Sequence, residues 1–209
     1  MLDLAASDRP FVPGDLLAFA GQGFESRLIA IMSCRAWQLL RGQWFSHIGI
    51  CARGPAGNLL LFESTTLADT PCEILHRTTH GTQAHDPRRR IDDYAGKVWR
   101  LRLADREALS EPEENRLADF LLSEIGKPYD YTGAFVAGTW RLRACRWFCP
   151  RLDTLFCSDL VLAALKDIHK VDHGLNPRTY SPGRTVRDLT YWGLYQPLDA
   201  CGSESRRIR

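Results

Sequence analysis

Apolar and polar positions change period along the chain, and the changes divide it into elements. Asp15 to Ala20 is a short apolar run behind the Pro13-Gly14 punctuation, which suits a buried strand. From Phe24 to Leu40 the residues Phe24, Leu28, Ile31, Met32, Ala36, Leu39 and Leu40 recur at steps of three and four, predicting an amphipathic helix that covers a sheet. Phe45 to Cys51 and Leu59 to Glu63 read as strands joined by the Gly- and Pro-rich connection 53–58. Side chains alternate along a strand, so Ile48 and Ile50 face one way and His47 and Gly49 the other, with open space expected beside the imidazole.

Further strands are expected at Cys72 to Leu75 and Lys97 to Leu103, the second in near-perfect alternation. Between them, His76 to Tyr94 is polar and reads as a long surface loop in which His76, His80 and His85 are solvated. Ser110 followed by Glu111, Glu113 and Glu114 predicts a helix start, and Gly126 with Pro128 its end. A short helix is expected over 129–140, then a basic, aromatic-laced connection over 141–155. Phe156 to Ile168 places Leu160, Val161, Ala164, Leu165 and Ile168 on one helix face, with Cys157 at the N-terminus. A last strand over 191–195 is expected after a Ser181-Pro182-Gly183 turn, and there is no internal repeat.

Composition narrows the class. At 209 residues, 44% hydrophobic and 25% charged, the chain reads as one globular domain over 1–209, with a core of roughly 12–198 between a flexible N-terminal arm and C-terminal tail. Wholesale disorder is excluded. A net charge of +2 gives no field that would recruit nucleic acid. Every apolar run is interrupted well short of the ~20 residues a membrane-spanning helix needs. The first residues carry neither a basic nor an apolar export region, which makes cytoplasmic residence the expectation. Seven dispersed Cys, an odd count, read as reduced thiols, one of them available for chemistry.

That one is Cys157. Unpaired N–H groups and the dipole at a helix N-terminus favour a thiolate and are expected to lower the thiol from ~8.5 into roughly the 3.5–7.5 range. Ionisation alone makes no catalyst, because nucleophilicity falls with pKa; a base that can also protonate the leaving group is required. His47 is the best base, lying on a strand beside a glycine and opposite the apolar Ile pair. Glu63 falls on the neighbouring strand, opposite His47 to within about one residue of register, where a carboxylate would orient the imidazole. Each has a bland counterpart: a lone buried Cys is usually an inert hydrophobe, and a lone strand His a satisfied core residue.

The segments Pro13-Gly14-Asp15-Leu16, Ser46-His47-Ile48-Gly49-Ile50, Gly126-Lys127-Pro128-Tyr129 and Phe156-Cys157-Ser158-Asp159-Leu160-Val161 resemble those of the NlpC-type cysteine peptidases of the papain-like superfamily. The His strand precedes the Cys helix, an order similar to that of the circularly permuted branch with its YiiX-like amidases and, more distantly, lecithin retinol acyltransferase-like enzymes. The resemblance implies an α+β, papain-like fold: an antiparallel sheet or small barrel packed against helices that carry the nucleophile. It implies Cys157 as nucleophile, His47 as general base and acid, and Glu63 as orienter. Tyr129, with Tyr131 as second choice, and Ser158 are the implied substrate and oxyanion contacts, beside the backbone N–H of Cys157. Phe156 and Asp159 depart from the family's Asp and Gly at those places. The implied activity is hydrolysis of an amide or ester through a thioester acyl-enzyme, on a small peptide, peptidoglycan fragment or acyl-lipid, with no cofactor. Acyl transfer and a non-catalytic binding module on the same scaffold are the alternatives.

Two other patterns stand in the chain. Cys145 and Cys149 with His169 and His173 have zinc-site spacings, but nineteen residues and a whole helix separate the pairs. The interleaved cations and aromatics over 140–151 suit either peripheral contact with anionic lipid or a rim where Arg stems cover apolar surface.

Overall fold

The computed structural model describes residues 10–21, 45–66, 69–130, 155–196 and 199–201. The expected helix over 24–40, and most of the helix expected over 129–140 and of the 141–155 connection, lie outside these residues. In chain order the elements are β1 (Leu16–Gly21), β2 (His47–Arg53), β3 (Leu59–Thr65), β4 (Gly81–His85), α1 (Pro87–Asp92), β5 (Gly96–Leu101), α2 (Glu111–Glu124), α3 (Cys157–Asp167), α4 (Pro182–Tyr191) and β6 (Asp199–Cys201). The class is α+β: all strand pairs are antiparallel, in the order β4-β3-β2-β1-β5-β6.

Alternation decides what each face of the sheet touches. Leu16, Ala18, Ile48, Ile50, Leu60, Phe62, Trp99 and Leu101 enter one large core with Leu117 and Leu121 of α2, Leu160, Val161 and Ala164 of α3, and Val186 and Leu189 of α4. Leu17, Phe19, Cys51, Leu61 and Val98 point the other way into a smaller core closed by Ile91 and Tyr94, at and just beyond the end of α1. His47 stands on this second face, its ring 5.4 Å from that of Phe19. The buried Asp15 carboxylate accepts a hydrogen bond from Arg100 Nε at 2.9 Å, tying the chain before β1 to β5.

Three expectations are corrected. Cys72 to Leu75 forms a turn: the Cys72 N–H donates to Arg77 O, and its Sγ accepts from Ala84 N–H at 3.3 Å. The stretch 76–94 is no loop, since it holds β4 and α1. Thr82, Gln83 and His85 of β4 are polar yet buried, so the strand carries no apolar alternation to betray it. The segment ending at Tyr191 is helical. Ser181 and Pro182 occupy the N-cap and first helical positions of α4, where proline's missing N–H costs nothing, and Pro182, Val186 and Leu189 recur on its buried side. The chain pairs with Leu103 only at Tyr195.

Gly81 shows how closely β4 is seated. At φ +136° it lies in glycine's own territory, and a Cβ there would meet Lys127 O at 2.0 Å. Gly57 has φ +77° but open space around it. Gly57→Ala should therefore cost about 1 kcal/mol of backbone strain, and Gly81→Ala about 3 kcal/mol or more, as read by urea denaturation.

Candidate active site

Glu63 sits in the middle of β3 with no exposed surface. The β2–β3 register runs from Arg53↔Leu59 to Ile50↔Phe62; one step further sets Glu63 opposite Gly49, two residues from His47 on the same face. The space expected beside the imidazole is filled: a Cβ on Gly49 would meet Phe62 O at 2.9 Å and Glu63 Cβ at 3.2 Å. Glycine is what lets the carboxylate stand in the sheet and reach diagonally, so that His47 Nε2 lies 2.6 Å from Glu63 Oε2. An ionised carboxylate only accepts, so Nε2 carries the proton and Nδ1 presents the basic lone pair.

The other side of Glu63 is held by a residue that sequence reasoning missed. Arg90 Nε donates to Oε1 at 2.7 Å and Nη2 reaches Oε2 at 3.4 Å. The guanidinium is itself buried, with its Cζ 4.9 Å from the Phe19 ring centroid and 5.2 Å from that of Tyr94. Burial alone would push the Glu63 carboxyl up; Arg90 and His47 outweigh it and hold the group well below the usual carboxylate range. The Asp86-Pro87 pair was a readable signal for the helix that delivers Arg90: Asp86 Oδ1 caps the Arg89 N–H at 2.8 Å, with Pro87 in the first turn. Which of Arg88, Arg89 and Arg90 turns inward was not readable.

His85, on β4, comes to 3.9 Å from Glu63 Oε1. It is buried rather than solvated. Gln83 Nε2 donates to Thr79 O at 2.6 Å, which fixes the amide, so its Oε1 accepts from His85 Nε2–H at 3.2 Å. Burial pushes the His85 imidazole down, so at neutral pH it adds no charge to the cluster.

Cys157 opens α3, and its position is enforced from several sides. Ser64 Oγ donates to Leu155 O at 2.6 Å, Leu155 pairs with Tyr129, and Asp159 Oδ2 accepts from Phe156 N–H at 3.5 Å. Ile48 and Ile50 pack under the helix, and the thiol lies against the backbone N–H of Ile48, one residue from His47. The expected thiolate is corrected. Cys157 is fully buried, and burial pushes its thiol far up; the Ile48 N–H opposes this, while the Asp159 and Glu63 carboxylates reinforce it. A helix N-terminus favours charge only where that charge is also solvated or paired.

The remaining site residues fall as follows. Tyr129 is half-buried, its ring edge-on to Phe156 at 6.1 Å, directly before the nucleophile position. Ser158 is buried and donates its hydroxyl to Tyr180 O at 2.8 Å, which leaves its side chain no freedom to meet a substrate. Tyr131, Cys145 and Cys149 lie outside the described residues. His169 Nδ1 and His173 Nε2 meet at 2.5 Å on the exposed surface, and among the described residues no three His, Cys, Asp or Glu side chains group to hold a metal ion. No helix among them is long and apolar enough to cross a membrane.

The chain is similar to the crystal structure of the metalloprotein YiiX from Escherichia coli O157:H7. Identity is 16% over 92% of this chain and 89% of that one, with a TM-score of 0.48. No family model and no curated protein matches.

The Glu63 carboxyl has a stability signature. Its folded value is depressed, so its contribution is complete above the unfolded value of 4.5 and is lost as the pH falls through the folded value well below that. Glu63→Gln leaves Arg90 unpaired and should cost about 3–5 kcal/mol at pH 7. Urea denaturation between pH 7 and 3 should also show a flatter acid-side decline in this variant than in the wild type.

Proposed function

We propose that this protein is a cysteine hydrolase of the circularly permuted, NlpC-type papain-like kind, cleaving an amide or ester through a thioester on Cys157. The observation that carries the reading is the 2.6 Å His47–Glu63 pair at the start of the strand whose next N–H touches the Cys157 thiol. An oriented imidazole and a thiol at a helix N-terminus are the two parts that acyl transfer to sulfur requires.

The chemistry follows from a thiol that rests protonated. As Sγ bonds to the substrate carbonyl carbon, its proton passes to His47 Nδ1 and the carbonyl π pair moves onto oxygen. The oxyanion is taken up by backbone N–H groups at the start of α3, that of Cys157 first. Collapse expels the amine or alcohol, which leaves with the proton from His47, and the acyl group stays on sulfur. Water then attacks the thioester with His47 as base, releasing the acid and restoring the thiol. Because the thiol is enclosed, substrate binding must uncover it before attack. Tyr129, half-buried with its ring edge-on to Phe156, is the side chain proposed for substrate contact.

The enclosed thiol favours a second reading, a binding module that keeps the scaffold without turnover. A panel of p-nitrophenyl acyl esters and peptide amides separates the two. Cys157→Ala should keep the far-UV circular dichroism of the wild type and lose turnover by roughly 10³-fold or more, and intact mass spectrometry of the wild type should detect an acyl adduct on Cys157. Equal rates in both proteins refute the assignment. Added amine or alcohol acceptors distinguish acyl transfer from hydrolysis by their products.

A further inference from the structure

We propose that Arg90 is a positioning residue of this site: it holds Glu63 as a carboxylate from behind and so sets how tightly the His47–Glu63 pair binds a proton. The inference rests on the function proposed above but is tested without it.

The geometry gives Arg90 a double hold that His47 alone could not replace. The carboxylate is fully buried, and its oxygens divide between two partners: Oε1 takes Arg90 Nε at 2.7 Å, and Oε2 takes His47 Nε2 at 2.6 Å with Arg90 Nη2 at 3.4 Å. With His47 as its only counterion, an isolated buried carboxylate would either protonate or hold the imidazole as a permanent cation. Neither state serves a base, which needs a free, unprotonated lone pair on Nδ1. A fixed cation on the far side resolves the conflict. Glu63 stays charged and oriented, and most of its charge is already balanced when His47 has to give up a proton.

No other described group takes this role. From β4, His85 comes only to 3.9 Å from Oε1, and it is neutral, its Nε2–H spent on Gln83. From the connection after α1, Tyr94 offers a phenol that burial pushes further from ionisation. From α3, Cys157 is an enclosed thiol that Glu63 disfavours as an anion. Phe19 is apolar. Arg90 is thus the one cation in contact with Glu63 among the described residues, and the rings of Phe19 and Tyr94 hold its guanidinium in place. Its neighbours Arg88 and Arg89 are exposed and have no such contact.

The test is a titration of His47 by 15N-imidazole NMR in the wild type, Arg90→Gln, Arg90→Lys and Glu63→Gln, alongside the pH profile of kcat/KM on the ester probe that Cys157 turns over best. Removing the cation should make the pair bind its proton at least tenfold more tightly, whether that proton rests on the imidazole or the carboxyl. The His47 titration and the acid limb of kcat/KM then move up together by a unit or more. Arg90→Lys should return most of the shift. Glu63→Gln, which removes the imidazole's own carboxylate, should move the titration the opposite way as a control, and Arg90→Met, which keeps the apolar stem without the cation, serves as the readout if Arg90→Gln does not fold. A purely structural Arg90 would lower the folded fraction and leave the His47 titration of the Arg90 variants at its wild-type position, and that result overturns the proposal. If Cys157→Ala keeps full turnover, the enzymatic reading fails while the NMR titration still decides the role of Arg90.

Discussion

A carboxylate cannot be shut inside a β-sheet without a counterion, and much of this protein's smaller layer answers that demand. Glu63 lies fully enclosed between two neighbouring strands. Its charge calls for the guanidinium of Arg90, and the guanidinium calls for a helix placed to deliver it and for aromatic faces to lie against. Glycine at position 49 follows from the same demand, because a side chain there would strike the Phe62 carbonyl. The polar character of β4 follows too. A strand bearing Thr82, Gln83 and His85 can be buried only where those groups have work, and Gln83 and His85 find it beside the carboxylate.

On the opposite face the sheet meets an ordinary apolar layer, and there the contest runs between two effects on one thiol. The amino end of α3 favours negative charge on Cys157, whereas complete enclosure disfavours it. Enclosure wins, with the Asp159 and Glu63 carboxylates on its side. The resting thiol is therefore protonated, and under the proposed function its chemistry begins with a proton transfer to His47, the imidazole that Glu63 orients.

Much of this was legible in the chain. Short apolar runs and alternation located β1, β2, β3 and β5, the Ser110 cap with its acidic first turn and the Gly126 stop located α2, the three-and-four periodicity located α3, and the glycine-proline connection paired β2 with β3 closely enough to bring Glu63 to His47. What stayed hidden was hidden for a physical reason. Sequence patterns register apolar burial, and β4 is buried through polar contacts. Three consecutive arginines at the surface of a helix are chemically alike, and only packing against Phe19 and Tyr94 singles out Arg90. Ser181-Pro182-Gly183 has the composition of a turn and the geometry of a helix start. The thiol's pKa was misjudged because the dipole can be read from the sequence and the enclosure cannot.

The most direct measurement is the rate at which Cys157 is alkylated by iodoacetamide, followed by peptide mass spectrometry from pH 6 to 10 in the wild type and in His47→Ala. A thiol that is enclosed and served by His47 should react more slowly than a free thiol at neutral pH, with a midpoint above ~8.5, and more slowly still once the imidazole is gone. Identical rates with and without His47, across the whole pH range, would mean that sulfur and imidazole do not act together and would contradict the account.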